Sequence, residues 1–240
     1  DDPWNNFKCK YICHTFWATQ FRALRCQYFG ESSDEGYFRS LSRCKAWSVT
    51  AGKSGASFHK SLDGRLVTKC VSLTELQMFL DFAPAYFEYQ SKVLFEGMPS
   101  VLCRILGVYQ VGFDNKVTGR KVWTHVVVLE NLFYNRNITR TFDLKGSSKD
   151  RYVTLTDPLE TTDMAARKRR SGTFHPGARA HEGVLMDDNL VEVTSGMPFP
   201  LKQRARLLLD KAILNDTLFL SIVNVVDYSI LVGLDENGTL

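Results

Sequence analysis

The sequence predicts an α+β chain folded as two lobes, each built on an antiparallel sheet. Two hairpin patterns occupy the first half: residues 46–71 around Asp63-Gly64, and residues 103–130 around Asp114, Asn115 and Gly119. Residues 200–219 carry Leu201, Ala205, Leu208, Leu209, Ala212 and Ile213 as one helical stripe, with Lys202, Arg204, Arg206 and Lys211 on other faces. Between the two, Glu130-Asn-Leu-Phe-Tyr breaks the continuous apolar run of residues 126–129, which has the composition of a strand buried on both faces. A lobe boundary is therefore expected after residue 130, with residues 1–130 forming the first lobe and 131–240 the second.

Of the 240 residues, 44% are hydrophobic, enough to fill a sizeable core. Thirty Lys and Arg against 26 Asp and Glu give a net charge of +4 and a pI near 8.7. That balance suits an anionic partner without choosing among nucleic acid, lipid headgroups and nucleotide phosphates. No apolar run approaches the ~18 residues of a membrane span, and Asp1-Asp2-Pro3 lacks the basic start of a secretory signal. The expectation is a soluble or membrane-peripheral chain. Six cysteines (Cys9, Cys13, Cys26, Cys44, Cys70, Cys103) scatter through the first half of a chain too long to need disulfides and read as reduced thiols. Cys9, Cys13 and His14 are spaced one residue too far apart for C-x-x-C-H, and His175 and His181 have no ligand partners nearby in sequence, so no metal centre is predicted at either place.

Taken in order, residues 7–28 place Phe16, Trp17, Phe21, Leu24 and Tyr28 at about helical spacing, with Arg22 and Arg25 on other faces. One amphipathic helix is expected, packed on the core or, as the sharper alternative, lying on a membrane surface. Residues 31–36 interrupt it and residues 37–44 resume as a short helix. Residues 46–71 then read strand, Gly-rich loop, strand, turn, strand. Gly52 and Gly55 flank Lys53 and Ser54 in a loop able to close over phosphates, and the last strand delivers Lys69 from the sheet. Gly-Lys-Ser invites a Walker A motif, but Trp47 stands where its first glycine belongs and a strand follows instead of a helix. Strand, loop, strand, turn, strand and lysine match the nucleotide-clamping plan of kinase N-terminal lobes, although the loop is not G-x-G-x-x-G. Ser72-Leu-Thr-Glu75 is a capping box that opens a helix through Leu76, Phe79, Leu80, Phe82 and Phe87 despite Pro84. Glu75 can cap the Ser72 amide, or pair with Lys69 and hold it over the α- and β-phosphates of a nucleotide.

Residues 140–149, Arg-Thr-Phe-Asp-Leu-Lys-Gly-Ser-Ser-Lys, crowd Asp143, Lys145, Gly146, Ser147 and Ser148 together. Asp can hold Mg²⁺ or a hydroxyl proton, Lys can neutralise a phosphoryl oxygen, and Gly-Ser exposes amides to an anion. On an extended backbone Asp143 and Lys145 share a face; the plain alternative is a polar turn with a local ion pair. Residues 156–183 lack periodicity and are expected to form a mobile loop whose basic stretch, residues 167–170, could meet an anionic leaflet. A short apolar run over residues 184–193 contains Asp187 and Asp188. Asp227 stands among Val225, Val226, Tyr228 and Ile230, a costly setting for a carboxylate without a hydrogen-bonded or catalytic role. These features together describe a phosphoryl transferase with one sheet lysine and two acidic stations, Asp143 and Asp227, working by positioning and charge neutralisation.

The ordered set of residues 52–55, Lys69, Phe79-Leu-Asp-Phe-Ala-Pro84, Ile105-Leu-Gly-Val-Tyr109, Leu129-Glu-Asn-Leu-Phe133, Phe142-Asp-Leu-Lys-Gly-Ser147 and Val226-Asp-Tyr-Ser-Ile-Leu-Val-Gly233 resembles the phosphatidylinositol phosphate kinases. Within them it is most similar to the kinase domain of the phosphatidylinositol 3-phosphate 5-kinases. The resemblance implies a two-lobed kinase-like fold, ATP and Mg²⁺ as cofactors, and phosphatidylinositol 3,5-bisphosphate as product. It implies that Gly52, Lys53, Ser54, Gly55, Lys69, Glu75, Glu130, Asn131 and Leu132 bind the nucleotide and that Asp227, Asp143 and Lys145 are catalytic. It further implies a phosphoinositide substrate, peripheral contact with the cytoplasmic face of endosomal or vacuolar membranes, a regulatory protein scaffold and no nucleic acid. In that family a further Mg²⁺-binding Asp and the loop that selects the lipid follow the Asp235-Glu-Asn-Gly238 turn, beyond Leu240, so the C-terminal part of the fold is expected to be missing from this chain. A soluble inositol polyphosphate kinase is the rival enzyme, disfavoured by Gly146-Ser147 directly after Lys145, and a catalytically silent phosphoinositide-binding module is the alternative from another class.

Overall fold

A computed structural model describes residues 9–30, 33–47, 57–154 and 183–235. The chain divides into two compact units, one of Asp1–Asn135 with Leu201–Asp227, the other of Arg136–Pro200 with Tyr228–Leu240. Leu201–Asp227, which carries most of the helical stripe, thus groups with the first part of the chain.

Unit one is built on a six-stranded sheet in the order β1-β5-β6-β4-β3-β2, all neighbours antiparallel. Its strands are β1 (Cys9–Phe16), β2 (Cys44–Trp47), β3 (Phe58–Ser61), β4 (Leu66–Val71), β5 (Ile105–Asn115) and β6 (Lys121–Glu130). The expected helix over residues 7–28 is corrected here, because its first half is β1 and only Ala18–Phe29 is helical (α1). Cys9 to Phe16 pair along β5, from Cys9 opposite Asn115 to Phe16 opposite Val108. Trp17, at φ 51, turns the chain between strand and helix. Ladder bonds to β5 outweigh a helical spacing that only Phe16 onward obeys. The second short helix, α2, spans Ser33–Leu41.

The capping box does open a helix, and α3 runs from Leu73 to Phe95 with Pro84 inside it. Leu76, Phe79, Ala83, Tyr86 and Tyr89 fall on one buried face. They pack against Phe21 and Leu24 of α1, Val108 of β5 and Phe219 of α5 (Gln203–Ile222). Each of the larger aliphatic and Phe side chains contributes about 1.5–3 kcal/mol by leaving water. Ala83 is completely buried, so a larger residue there would cost about 1–3 kcal/mol in overpacking.

Arg25 lies in this interior rather than on a polar face. It donates to the Leu106 carbonyl at 2.8 Å, pairs with Asp34 at 2.7 Å, and its guanidinium lies 4.4 Å from the Tyr37 ring centre. Its burial removes one of the two cations on which the membrane-surface helix depended. Gly107 explains part of the Ile105-Leu-Gly-Val-Tyr109 pattern: a Cβ there would overlap the Tyr37 hydroxyl and the Tyr109 ring, which are themselves 3.0 Å apart, oxygen to oxygen.

Unit two contains β7 (Ile138–Leu144), β8 (Val184–Leu185) and β9 (Ile230–Asp235) in the order β8-β7-β9, together with α4 (Asp187–Thr194). The second sheet is mixed, with β7 antiparallel to β9 and parallel to β8. An antiparallel sheet was expected in both lobes, but two residues in β8 gave no readable strand signal. The Gly-rich loop of residues 52–55, the basic stretch of residues 167–170 and residues 236–238 of the expected final turn lie outside the described residues.

Candidate active site

In unit one, Lys69 sits on β4 between Phe58 of β3 and Val127 of β6. Its ammonium donates to Glu75 Oε1 at 2.9 Å. Glu75 Oε2 meanwhile accepts the Ser72 amide at 2.8 Å, and Ser72 Oγ accepts the Glu75 amide at 3.1 Å. Capping and ion pairing, which looked like competing roles, therefore coexist, because one carboxylate has two oxygens and the helix starts directly where β4 ends. The Ser72 amide, against the opposing push of partial burial, and the Lys69 ammonium hold the Glu75 carboxyl below its ordinary range.

At the end of β6 the side chains of Glu130 and Asn131 are both used inside the unit. Glu130 accepts the Arg104 amide and the Arg104 guanidinium, each at 2.9 Å. Asn131 donates its side-chain amide to the Gly64 carbonyl at 2.6 Å and its backbone amide to the Arg65 carbonyl at 2.9 Å. These contacts tie the expected nucleotide turn to the β3–β4 hairpin and to the start of β5. Leu132 remains exposed.

Asp227 closes the unit-one segment in the left-handed region, φ 60, where Asp is among the tolerated residues. The apolar setting read from its neighbours is corrected by the structure: Asp227 is exposed, as are Val226, Tyr228 and Ile230. Positive φ at Asn224 and again at Asp227 makes the segment after α5 a sequence of turns, so adjacent apolar residues do not enclose the carboxylate.

In unit two, Asp143 lies on β7 beside Leu231 of β9. Its Oδ1 is buried without a hydrogen-bond partner among the described residues, while Oδ2 lies 3.7 Å from the Arg151 guanidinium. Strand β7 ends at Leu144 and the chain bends at Gly146, φ 70, so the regular alternation expected to align Asp143 with Lys145 stops short of the lysine. No Cβ clash opposes other residues at Gly146; the left-handed backbone, which most side chains adopt only with strain, does.

The turn is held by residues that the sequence reading passed over. Asp187 accepts the Lys145 amide at 3.0 Å, the Gly146 amide at 2.8 Å and Arg151 Nε at 2.8 Å. Burial alone would raise its carboxyl, but Arg151 and the two amides outweigh that and hold it below the ordinary carboxylate range. Buried Asn189 accepts the Val153 and Met186 amides and donates to the Val153 carbonyl, fastening residues 151–153 to the start of α4. The available signal was the polar run Asp187-Asp188-Asn189 in an apolar segment, with nothing local to name its partners.

The structure thus brings together Lys69 and Glu75 within unit one, and groups Asp143, Lys145 and Gly146 around Arg151 and Asp187 within unit two. A model of the phosphatidylinositol-4-phosphate 5-kinase family matches residues 42–239. The chain belongs to this family. It is 39% identical over 229 residues to the Arabidopsis thaliana protein named 1-phosphatidylinositol-3-phosphate 5-kinase FAB1B, covering 95% of this chain and 11% of that protein. The 1-phosphatidylinositol 3-phosphate 5-kinase of Saccharomyces cerevisiae is 36% identical over 231 residues, 94% of this chain and 9% of the relative. That of Homo sapiens is 34% identical over 229 residues, 95% and 10%. The chain therefore spans about a tenth of the length of these curated relatives. No helix among the described residues is long and apolar enough to cross a membrane.

Proposed function

We propose that this chain is kinase-domain sequence of a lipid kinase that transfers the γ-phosphate of ATP to the 5-hydroxyl of phosphatidylinositol 3-phosphate, giving phosphatidylinositol 3,5-bisphosphate. The observation that carries the transfer chemistry is the 2.9 Å Lys69–Glu75 pair: an ammonium fixed on a sheet by a helix carboxylate is preorganised for nucleotide phosphates. The choice of lipid follows from the relatives, whose names state that substrate.

Lys69 binds the α- and β-phosphates, and Glu75 orients it. Gly52, Lys53, Ser54 and Gly55 are assigned to the nucleotide phosphates by their sequence alone. Glu130 and Asn131, with side chains already used within the fold, shape the turn, leaving the exposed Leu132 to meet the base. Asp143 fits a cation, since its Oδ1 is a buried acceptor with no hydrogen-bond donor among the described residues. Bound Mg²⁺ would neutralise charge on the transferring phosphoryl group. Among the described residues no three His, Cys, Asp or Glu side chains group closely enough to hold a metal; Asp143 would be one ligand. Lys145 offers a compact charge to a phosphoryl oxygen. Asp227, which is exposed, accepts the proton of the attacking inositol hydroxyl. The protein acts peripherally at an anionic endosomal or vacuolar surface, with a regulatory scaffold as partner.

The test uses the full-length gene product with Mg-ATP and vesicles containing phosphatidylinositol 3-phosphate. Lys69→Ala should lower the transfer rate on the order of 10²-fold or more, and Asp227→Asn should abolish transfer while preserving ATP affinity and the thermal melt. Normal turnover by Lys69→Ala would sink the assignment of the nucleotide site.

A further inference from the structure

We propose that Asp187 is a positioning residue for phosphoryl transfer, holding the Lys145-Gly146 backbone in place and setting it against Asp143 through Arg151. This rests on the assignment of the Asp143–Gly146 turn to the reaction. The partners of Asp187 come from three residues outside its own helix. Its Oδ1 accepts the Lys145 and Gly146 amides at 3.0 and 2.8 Å, and its Oδ2 accepts Arg151 Nε at 2.8 Å. Arg151 Nη2 in turn donates to the Asp143 carbonyl, and the same nitrogen lies 3.7 Å from Asp143 Oδ2.

Both side chains of the Asp187–Arg151 pair are largely sheltered, 14% and 12% exposed, whereas Lys145 is exposed. A flexible lysine on an unsupported turn would sample many positions. Gly146 permits the left-handed bend and Asp187 selects it by engaging both amides on the approach to that bend. Arg151 joins the carboxylate holding the Lys145 backbone to the residue carrying the Asp143 carboxylate. The Lys145 backbone is thereby held in place relative to Asp143 through a single pair. Misplacing such groups by about 1 Å can cost on the order of 10²-fold in rate.

The experiment measures kcat and KM in the full-length gene product, with Mg-ATP and vesicles carrying phosphatidylinositol 3-phosphate, for Asp187→Ala, Asp187→Asn, Lys145→Ala and the double variant Asp187→Ala with Lys145→Ala. Rates are normalised to folded protein by a thermal melt. Asp187→Ala should lower kcat on the order of 10²-fold with the KM for ATP unchanged. Asp187→Asn keeps an oxygen for the two amides but loses the charge facing Arg151, and should fall less. In the Lys145→Ala background, Asp187→Ala should cost little further, because its effect is exerted through Lys145. A near-normal kcat for Asp187→Ala, or losses that simply multiply, would overturn the proposal. If Asp187→Ala does not fold, Asp187→Asn completes the same cycle with Lys145→Ala. Normal transfer by Lys145→Ala would instead remove the assignment of the turn itself, an outcome distinct from a silent Asp187.

Discussion

Lys69 and Glu75 meet at 2.9 Å where β4 passes into α3, and Glu75 makes that contact with one carboxylate oxygen while the other closes the helix cap on Ser72. The cap restricts the Glu75 rotamer before any nucleotide arrives, so holding Lys69 costs less side-chain entropy than an ordinary surface pair would. The β4–α3 junction thereby joins a helix cap and an ion pair in one carboxylate, and the proposed nucleotide role rests on that pair.

Substitutions at Glu75 should separate those two functions. Gln can still form a capping box, so Glu75→Gln should change stability by less than about 1 kcal/mol while weakening ATP use through loss of the charge. Glu75→Ala also loses the reciprocal cap and should cost about 1 kcal/mol more in urea unfolding. The carboxyl is held below its ordinary 4.5 by the Ser72 amide and by Lys69, against partial burial. A depressed carboxyl stabilises the fold above its unfolded value and loses that contribution as pH falls through its folded value. The stability gap between wild type and Glu75→Gln should hold steady near pH 7 and shrink below about pH 4.5. A gap that widened in acid would contradict the pairing.

Local chemistry was legible in the sequence wherever both partners lie close in the chain. The Ser72–Glu75 box, the Asp63-Gly64 turn and the Lys69 strand each follow from residues a few positions apart. Asp187, which fixes a turn 41 residues upstream, and Asp216, whose partners lie 115 to 127 residues away, are set by tertiary contacts that no local pattern encodes. The helical spacing over residues 7–28 misled for the same reason, since the pairing of β1 with β5 spans nearly a hundred residues. At Asp227, apolar neighbours in sequence were mistaken for apolar neighbours in space.

Asp216 illustrates the energetic weight of such contacts. Buried on α5, it accepts the Tyr89 hydroxyl at 2.5 Å, Ser100 Oγ at 2.6 Å and the Val101 amide at 2.7 Å. Burial and the Asp216 carboxylate together push the Tyr89 hydroxyl well above its ordinary titration range. Asp216→Ala leaves those donors without their acceptor and should lower stability by on the order of 3 kcal/mol. A loss below about 0.5 kcal/mol in urea unfolding would place Asp216 outside the fold's main supports.

Thiol reactivity offers an independent check on burial. Cys103 is pushed up to about 12, chiefly by burial and further by the Glu130 carboxylate, so little thiolate exists near neutral pH. Cys13 and Cys44 are exposed. In native protein, a thiol reagent followed by peptide mapping should label Cys13 readily and Cys103, which is only partly exposed, much more slowly than after denaturation. Equal labelling of Cys13 and Cys103 under native conditions would contradict the arrangement of Glu130 and Arg104 at the start of β5.

The most direct measurement offers the full-length gene product labelled ATP, Mg²⁺ and vesicles whose sole phosphoinositide is phosphatidylinositol, its 3-phosphate or its 4-phosphate, and then determines which inositol hydroxyl carries the label. The predicted result is label on the 5-hydroxyl of phosphatidylinositol 3-phosphate, lost on Lys69→Ala. Preferred labelling of phosphatidylinositol 4-phosphate, or equal labelling by wild type and Lys69→Ala, would contradict the account.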